Sequence, residues 1–269
     1  MNNELREEIF QHAKEWILEA GETIRKKIND PLIIDTKSSP KDLVTTLDTE
    51  TEYFLATKIR KKYPEHYLFS EEGYGDTITS LDGIVWIVDP IDGTMNFVQQ
   101  KRNFAISIGI LHQGIGEIGL IYDVMSDILY SAQKDHGAYK NDGKLPNLKP
   151  QLKLEEAMLG FNHNWLCENS VMDEHIMQAL VKKIRGSRAY GSAALKLAYV
   201  AEGIIDGYLT MNLAPWDIAG GMILVNEVGG VATNLAGGSV NMLTNDSTLT
   251  CHPAIQQEII NDYLKKGKK

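Results

Sequence analysis

Two aspartates three residues apart carry the strongest chemical signal in the sequence. Asp89 follows the apolar run at 84–88, and Asp92 comes after a proline at position 90. A turn brings residues i and i+3 within about 7 Å, so both carboxylates can face one small volume. Carboxylates about 4 Å apart repel by roughly 4 kcal/mol at an effective dielectric of about 20, which favours a cation or a shared proton between them. Because the ligands are all oxygens, the pair predicts a Mg²⁺ site.

Gly93 and Thr94, which come next, are suited to bind phosphate. They are predicted to open a helix, and backbone amides at a helix N-terminus attract anions. A cation site beside a phosphate site indicates phosphoryl chemistry. The alternative is an ordinary strand-to-helix turn in which Asp92 is only an N-cap. That alternative explains Asp92 but neither Asp89 nor the rigid Pro90.

Three further segments each place a carboxylate at the end of a predicted element. Glu71 and Glu72 follow a strand-like run at 66–69. Asp217 and Asp48 each stand at the predicted N-cap of a helix. Taken singly, a solvated loop explains the glutamates and capping explains the aspartates.

Together these segments resemble the inositol monophosphatase family. The motifs that match are DPIDGTMNF at 89–97, SEEG at 70–73, KSSPKDLVTTLD at 37–48 and PWDIAGG at 215–221, and GSAALKLAYVAEGIIDGYL at 191–209 is also similar. The coincidence of several separately spaced motifs makes the signal specific. The resemblance implies a layered α/β/α/β/α sandwich of the sugar-phosphatase type. It also implies a Mg²⁺-dependent, lithium-sensitive phosphatase, and members of the family are commonly homodimers.

The resemblance implies a ligand set for two or three Mg²⁺ ions. Glu71, Asp89 and the backbone carbonyl of Ile91 would hold the first ion. Asp89, Asp92 and Asp217 would hold the second. Glu71 would also support a weaker third ion through water.

The resemblance implies catalytic and substrate roles as well. Thr94 and Asp48 would orient and deprotonate the attacking water, with Glu71 as a further catalytic residue. The implied substrate contacts are Asp92, Gly93, Thr94, Gly191, Ser192, Ala193, Thr210 and Asp217. The residues expected to support the site from its surroundings are Glu72, Lys37 and Trp216.

Thr210 departs from the pattern of the animal enzymes. Seven residues before their last metal ligand, those enzymes carry a glutamate that hydrogen-bonds the hydroxyls of inositol. Threonine is uncharged and shorter, so we expect a broader range of sugar, polyol or nucleotide phosphates. The alternatives are a related phosphatase acting on NADP, fructose 1,6-bisphosphate or 3′-phosphoadenosine phosphates. A second alternative is a non-catalytic phosphate-binding module or one associated with the RNA machinery.

Composition excludes several other classes of protein. The chain has 269 residues, of which 43% are hydrophobic, enough to build a core and too many for a disordered chain. A net charge of −9 argues against broad binding of nucleic acid or anionic membranes. Cys167 and Cys251 support no disulfide framework and suit a reducing cytosol. No apolar run approaches the roughly 18 residues of a membrane-spanning helix, so we expect a cytoplasmic protein. The resemblance of the motifs implies an enzyme whose partner is a small-molecule phosphate ester.

Hydrophobic periodicity places the motifs on a mixed α/β chain. It predicts a helix over 4–28, a second helix that begins after Asp48 and ends before Pro64, and a buried strand at 84–88. Antiparallel strands are expected within 104–133. Later elements are predicted as strands at 158–161, 206–211 and 249–251 and as helices at 171–183, 193–202, 218–227 and 253–264. We expect one compact unit over 1–269, with lobes 1–150 and 151–269 as a further option.

Overall fold

The computed structural model describes residues 1–31, 33–36 and 43–269. The α-helices are α1 (Asn3–Lys27), α2 (Thr46–Lys62), α3 (Thr94–Gln100), α4 (Glu174–Lys183), α5 (Ala193–Glu202), α6 (Pro215–Glu227), α7 (Pro253–Glu258) and α8 (Lys265–Gly267). Shorter helical segments are 3₁₀ turns at Leu154–Glu156 and His163–Leu166 and a π-helical segment at Ile259–Leu264. Within these ranges, no helix is both long enough and apolar enough to cross a lipid bilayer.

The strands form two large sheets and one small pair. They are β1 (Ile34–Thr36), β2 (Leu43–Thr45), β3 (Tyr67–Ser70), β4 (Ile84–Asp92), β5 (Ala105–His112), β6 (Ile115–Asp123), β7 (Ile128–Gln133), β8 (Gly137–Lys140), β9 (Gly143–Lys144), β10 (Met158–Gly160), β11 (Gly186–Arg188), β12 (Gly207–Leu213), β13 (Val231–Thr233) and β14 (Asp246–Cys251). A seven-stranded sheet has the order β3-β4-β5-β6-β7-β8-β9, and a five-stranded sheet has the order β11-β10-β12-β14-β13. β1 and β2 pair with each other in antiparallel fashion.

The helices and the two large sheets stack in five layers. α1 and α2 cover one face of the seven-stranded sheet, because their apolar residues, such as Ile17 and Leu55, join the cluster of Trp86 and Ile108. α5 and α6 lie between the two sheets, within a cluster that contains side chains from both. α4 and α7 cover the outer face of the five-stranded sheet. This is the predicted α/β/α/β/α sandwich.

Glycines let α6 approach the seven-stranded sheet closely. A Cβ atom added to Gly109 on β5 would lie 2.6 Å from the Cβ of Ala219. One added to Gly119 on β6 would lie 2.4 Å from the carbonyl oxygen of Gly220. Such distances are far below a van der Waals contact, so the backbone of α6 rests almost directly on the sheet. This contact fixes the distance between α6 and the sheet, and so the position of the first turn of α6 relative to the end of β4.

Most predicted elements are present, with ends displaced by a few residues. The helix at 193–202 has the predicted limits. The helix predicted at 171–183 begins at Glu174 because the side chain of Asp173 caps it. The final helix changes from α to π geometry at Ile259. β13, which follows α6, was not predicted; it is only three residues long and none of them is fully buried.

Two of the predicted N-caps are wrong by three residues. α2 is capped by Thr45, and Asp48 is the third residue of the helix, where it accepts the backbone N–H of Thr45 at 2.9 Å. α6 begins at Pro215, and Asp217 is again the third residue, accepting the backbone N–H of Ala214 at 2.9 Å. The physical reason is that a carboxylate at this position reaches back to the cap residue, as in a capping box.

Candidate active site

A β-bulge in β4 turns Asp89 and Asp92 toward the same side of the sheet. Residues three apart in a regular strand point to opposite faces. Here Asp89 pairs with Ser107 and Asp92 pairs with Ala105, so β4 has one residue more than β5 between these pairs. The extra residue shifts the alternation of side chains by one position, so Asp92 faces the same side of the sheet as Asp89. The strand predicted at 84–88 therefore extends through Pro90 to Asp92.

Asp217 joins this pair from the first turn of α6. One carboxylate oxygen from each of Asp89, Asp92 and Asp217 lies within 4.8 Å of the others. Asp89 and Asp92 are 1% and 6% exposed, and Asp217 is half-buried. Asp217, which is distant in sequence, and the Asp89–Asp92 pair thus present oxygen ligands to one volume, as the family resemblance implied for a Mg²⁺ ion.

The electrostatics of the three aspartates favour a cation. Burial, together with the charges of Glu71, Asp92 and Asp217, raises the pKa of Asp89 well above its ordinary value. Burial and the charges of Asp92 and Glu71 raise the pKa of Asp217 to about 8. A carboxyl that resists ionisation next to other carboxyls needs a proton or a cation to neutralise it. The oxygen-only donor set and this mutual repulsion fit a hard divalent cation.

Asp92 also binds the N-terminus of α5, which lies between the two sheets. Its carboxylate accepts the Ser192 hydroxyl and the backbone N–H groups of Ala193 at 3.1 Å and Ala194 at 2.8 Å. Burial raises the pKa of Asp92, and these three hydrogen bonds oppose that rise. A carboxylate at a helix N-terminus is stabilised by the orphan amides and by the helix dipole. The residue predicted to hold a cation therefore also fixes the segment predicted to contact the substrate.

Asp48 and Thr94 are in contact, as the predicted catalytic pair requires. The Thr94 hydroxyl lies 3.2 Å from Oδ1 of Asp48 and 3.1 Å from the carbonyl oxygen of Ile91. The second oxygen of Asp48 accepts both the backbone N–H and the hydroxyl of Thr45. Burial raises the pKa of Asp48 to about 6, although its hydrogen bonds to Thr45 lower it. At neutral pH this carboxylate is mainly ionised and able to accept a proton.

Glu71 lies on the loop that follows β3, close enough to act on the other carboxylates. Its charge raises the pKa values of Asp48, Asp89 and Asp217. Glu72, the next residue, is partly exposed on the same loop. The structure therefore brings Glu71 to the edge of the predicted cation site.

A residue that sequence reasoning missed anchors this loop. Glu52 is completely buried, and its carboxylate accepts the Ser70 hydroxyl at 2.7 Å and the backbone N–H groups of Glu72 at 2.6 Å and Tyr74 at 2.8 Å. The available signal was its position, three residues before Leu55 on the apolar face of α2. A carboxylate on such a face must find polar partners.

Two glycines let the turn predicted to bind phosphate approach the segment predicted to contact the substrate. Gly93 has φ +95, and a Cβ there would lie 3.2 Å from the carbonyl oxygen of Gly191. Asn96, also missed from the sequence, links the two segments through its Nδ2, which donates to the carbonyls of Asn103 and Tyr190 at 2.7 Å each. The first turn of α3 is thereby held against the segment before α5.

Three predicted residues remain, and the structure describes two of them. Thr210 on β12 is only 1% exposed, and Tyr208 lies two residues before it on the same face of the strand. Trp216 packs edge-on against Phe69, with ring centroids 5.3 Å apart, and so connects the end of β3 with the start of α6. Lys37 lies outside the described residues. Their roles stay predictions.

The chain is similar over nearly its full length to known phosphatases. The model of the inositol monophosphatase family matches residues 5–267. An inositol-1-monophosphatase of Bacillus subtilis is 52% identical over 261 residues, covering 97% of this chain and 98% of the relative.

Solved structures agree with this similarity. The crystal structure of 2′-AMP-bound SaIMPase-II superposes with a TM-score of 0.88 at 41% identity, covering 96% of this chain and 95% of that one. The crystal structure of an IMPase/NADP phosphatase with Mg²⁺ and phosphate superposes with a TM-score of 0.87 at 27% identity, covering 95% of each chain. Motifs, fold and carboxylate geometry agree, and the chain belongs to the inositol monophosphatase family.

Proposed function

We propose that this chain is a Mg²⁺-dependent phosphoric monoester hydrolase that acts on inositol 1-phosphate and related polyol or sugar phosphates. The observation that carries the proposal is the convergence of Asp89, Asp92 and Asp217 beside the first turn of α3. Membership of the family supports the reaction class. The named substrate of the Bacillus subtilis relative supports inositol 1-phosphate.

The proposed ligand set follows the geometry of β4 and α6. Asp89, Asp92 and Asp217 would hold one Mg²⁺, and Glu71 with Asp89 and the carbonyl of Ile91 would hold another; a third ion near Glu71 is also proposed. Bound Mg²⁺ supplies Lewis-acid chemistry, which neutralises phosphate charge and makes hydroxide available near neutral pH.

The chain's own residues position the reactants. Asp48 accepts a hydrogen bond from Thr94, so it can take up the proton that the attacking water transfers through the threonine hydroxyl. The backbone amides of Gly93 and Thr94 would bind the phosphate oxygens. The alcohol part of the ester would lie along 191–193 and near Thr210. In-line displacement then needs little more than positioning and charge stabilisation.

Nucleotide phosphates are a second class of substrate with a specific observation in its favour. Similar structures contain 2′-AMP or belong to an NADP phosphatase. Thr210 places no carboxylate on the alcohol side of the site, so an anionic nucleotide meets no extra repulsion there. We therefore propose activity on the 2′-phosphate of NADP beside activity on inositol phosphates. Fructose 1,6-bisphosphate and 3′-phosphoadenosine phosphates belong in the same substrate panel.

The direct test measures phosphate release with and without Mg²⁺ from inositol 1-phosphate, 2′-AMP and NADP. The Asp89→Asn variant removes one ligand charge and nearly keeps the side-chain shape. Asp142→Asn, in the exposed turn between β8 and β9, is the matched control. We expect Mg²⁺-dependent release in the wild type and the control and almost none in Asp89→Asn. Equal, near-zero release by all three proteins would instead favour the non-catalytic phosphate-binding or RNA-associated module.

The assembly, location and lithium response belong to the same proposal. We propose a cytoplasmic homodimer inhibited by lithium and acting without nucleic acid or membrane partners. Cys167 and Cys251 are both free thiols, which supports a reducing compartment. A molar mass in solution near twice 30.0 kDa would support the dimer, and a mass near 30.0 kDa would contradict it.

One cooperative thermal transition is expected if residues 1–269 form a single folding unit, and two if the lobes unfold separately.

A further inference from the structure

Lys196 is a buried lysine in the layer between the two sheets. The residue is 2% exposed. Its Nζ donates to Oδ1 of Asn162 at 3.0 Å and lies 4.1 Å from the centroid of the Tyr208 ring. Both of these partners are neutral. They stabilise an ammonium group by a hydrogen bond and a cation–π contact without cancelling its charge.

The position of Lys196 is fixed relative to the carboxylates. Ser192, whose hydroxyl donates to Asp92, caps α5, and the backbone N–H of Lys196 donates to the carbonyl of Ser192 at 3.4 Å. Residues i and i+4 lie on the same face of a helix, so Lys196 stands one turn below the residue that binds Asp92. The stem of Lys196 also packs tightly, since a Cβ at Gly160 would lie 3.3 Å from its Cδ.

The charge of Lys196 acts on two of the three aspartates. Burial lowers the pKa of Lys196 to about 8, while Asp92 and Asp217 act in the opposite direction and favour the charged form. The same ammonium lowers the pKa of Asp92. At neutral pH the group is mainly charged. It is a positive charge inside the protein, where solvent screens it poorly.

We propose that Lys196 is an internal counter-charge that weakens cation binding by Asp92 and Asp217. The inference rests on the proposed function, because it requires these aspartates to bind Mg²⁺. A fixed ammonium near the ligands repels a second cation that approaches them. A cation that is held less tightly dissociates faster, which suits a site from which phosphate must also leave. Lys196 is thus a positioning residue: it acts on the bound cation through its charge and does not itself touch the ester.

The test measures the Kd for Mg²⁺ at pH 7 by calorimetry, and independently the Mg²⁺ concentration that produces half of the rise in melting temperature. Lys196→Met keeps an unbranched side chain and removes the charge. We expect it to bind Mg²⁺ about tenfold more tightly than the wild type. Lys196→Arg keeps the charge and should stay close to the wild type. Lys182→Met, on the exposed side of α4, makes the same change in net charge far from the site and should leave the Kd unchanged.

A second variant keeps the inference testable if Lys196→Met does not fold. Asn162→Asp nearly preserves shape and places a carboxylate beside the ammonium, so Mg²⁺ should again bind several-fold more tightly, whereas Asn162→Ala should not show this gain. A Mg²⁺ Kd within about twofold of the wild type in both Lys196→Met and Asn162→Asp overturns the inference. Absence of Mg²⁺ binding in the wild type would overturn the proposed function instead.

Discussion

The two sides of the candidate active site are built by different means. On the side of the seven-stranded sheet, backbone features set the positions of the aspartates. A bulge orients Asp89 and Asp92, and the first turn of α6 carries Asp217. On the side of the five-stranded sheet, the predicted wall of the site consists of buried side chains, among them Thr210 on β12.

This difference means that the residues for the reaction and the residues for substrate preference lie on different sides of the site. A side chain whose position follows from a bulge and a helix terminus cannot shift without a change in the fold. A wall of buried side chains can change by single substitutions while the fold persists. We therefore expect substitutions on the first side to abolish the reaction, and substitutions on the second side to change the preferred substrate or the affinity for the cation.

The largest effect is expected at Asp217. Replacing Asp217 by Asn removes a ligand charge, and we expect kcat/KM to fall by about 1,000-fold or more, since cation chemistry supplies several kcal/mol of transition-state stabilisation. In the absence of Mg²⁺ at neutral pH the same variant should melt at a higher temperature than the wild type, because the folded wild type must hold Asp217 protonated beside the other carboxyls, whereas an amide needs no proton. Steady-state kinetics and thermal unfolding measure the two effects. An Asp217→Asn protein that retained activity and lost stability would indicate a capping role alone.

The next effect is the dependence of stability on pH and Mg²⁺. The pKa of Asp217 is about 8 in the folded protein and ordinarily 3.8, so the metal-free folded state keeps a proton that the unfolded chain has released between these values. Metal-free stability should therefore fall as the pH rises from about 4 to about 8. Mg²⁺ at 100 times its Kd should add about 2.7 kcal/mol per site. Because protons compete with the cation, the rise in melting temperature should be larger at pH 8 than at pH 6. A Mg²⁺ effect equal at both pH values, or matched by NaCl of the same ionic strength, would contradict this prediction.

A smaller effect is expected at Gly93, which connects the two sides. Gly93→Ala forces a residue with a Cβ into φ +95 and against the carbonyl of Gly191 at 3.2 Å. The free energy of unfolding should fall by about 1–3 kcal/mol, and activity should fall as well because α3 shifts. Gly203→Ala is the matched control, since Gly203 also has a positive φ but nothing within 4 Å of an added Cβ. If both variants lost equal stability and neither lost activity, the close approach at Gly93 would have no part in positioning phosphate.

The smallest effect is expected at Thr210. Thr210→Val removes a buried hydroxyl on β12, and we expect the ratio of kcat/KM for inositol 1-phosphate to that for 2′-AMP to change by roughly tenfold or less. Thr250→Val alters a buried threonine of the neighbouring strand β14 and serves as the control. A uniform loss of activity on both substrates would instead indicate that Thr210 supports the reaction itself and not the choice of substrate.

The sequence was informative where local patterns coincide with tertiary structure. The limits of α5 were predicted from its apolar pattern, and in the structure Ser192 caps its N-terminus and Gly203 its C-terminus. The fold class followed from the resemblance of the motifs and is confirmed. The convergence of Asp89, Asp92 and Asp217 was implied by that resemblance and is observed in the structure.

Features that depend on neighbouring strands could not be predicted. The strand predicted at 84–88 continues through Pro90 as part of β4, because the partner strand β3 pairs only as far as Val88 and the missing N–H of Pro90 breaks no ladder on that side. Local hydrophobicity cannot reveal where a neighbouring strand ends. Asn96 was missed for a related reason, since its two carbonyl partners belong to loops that only the folded chain brings together.

The contact between α6 and the seven-stranded sheet has a consequence for mutational tolerance. A single methyl group at Gly109 or Gly119 would lift the helix away from the strands. Asp217, in the first turn of α6, would then move away from Asp89 and Asp92. Substitution of each residue in turn should therefore find folded but inactive variants at positions that contact neither the cation nor the substrate.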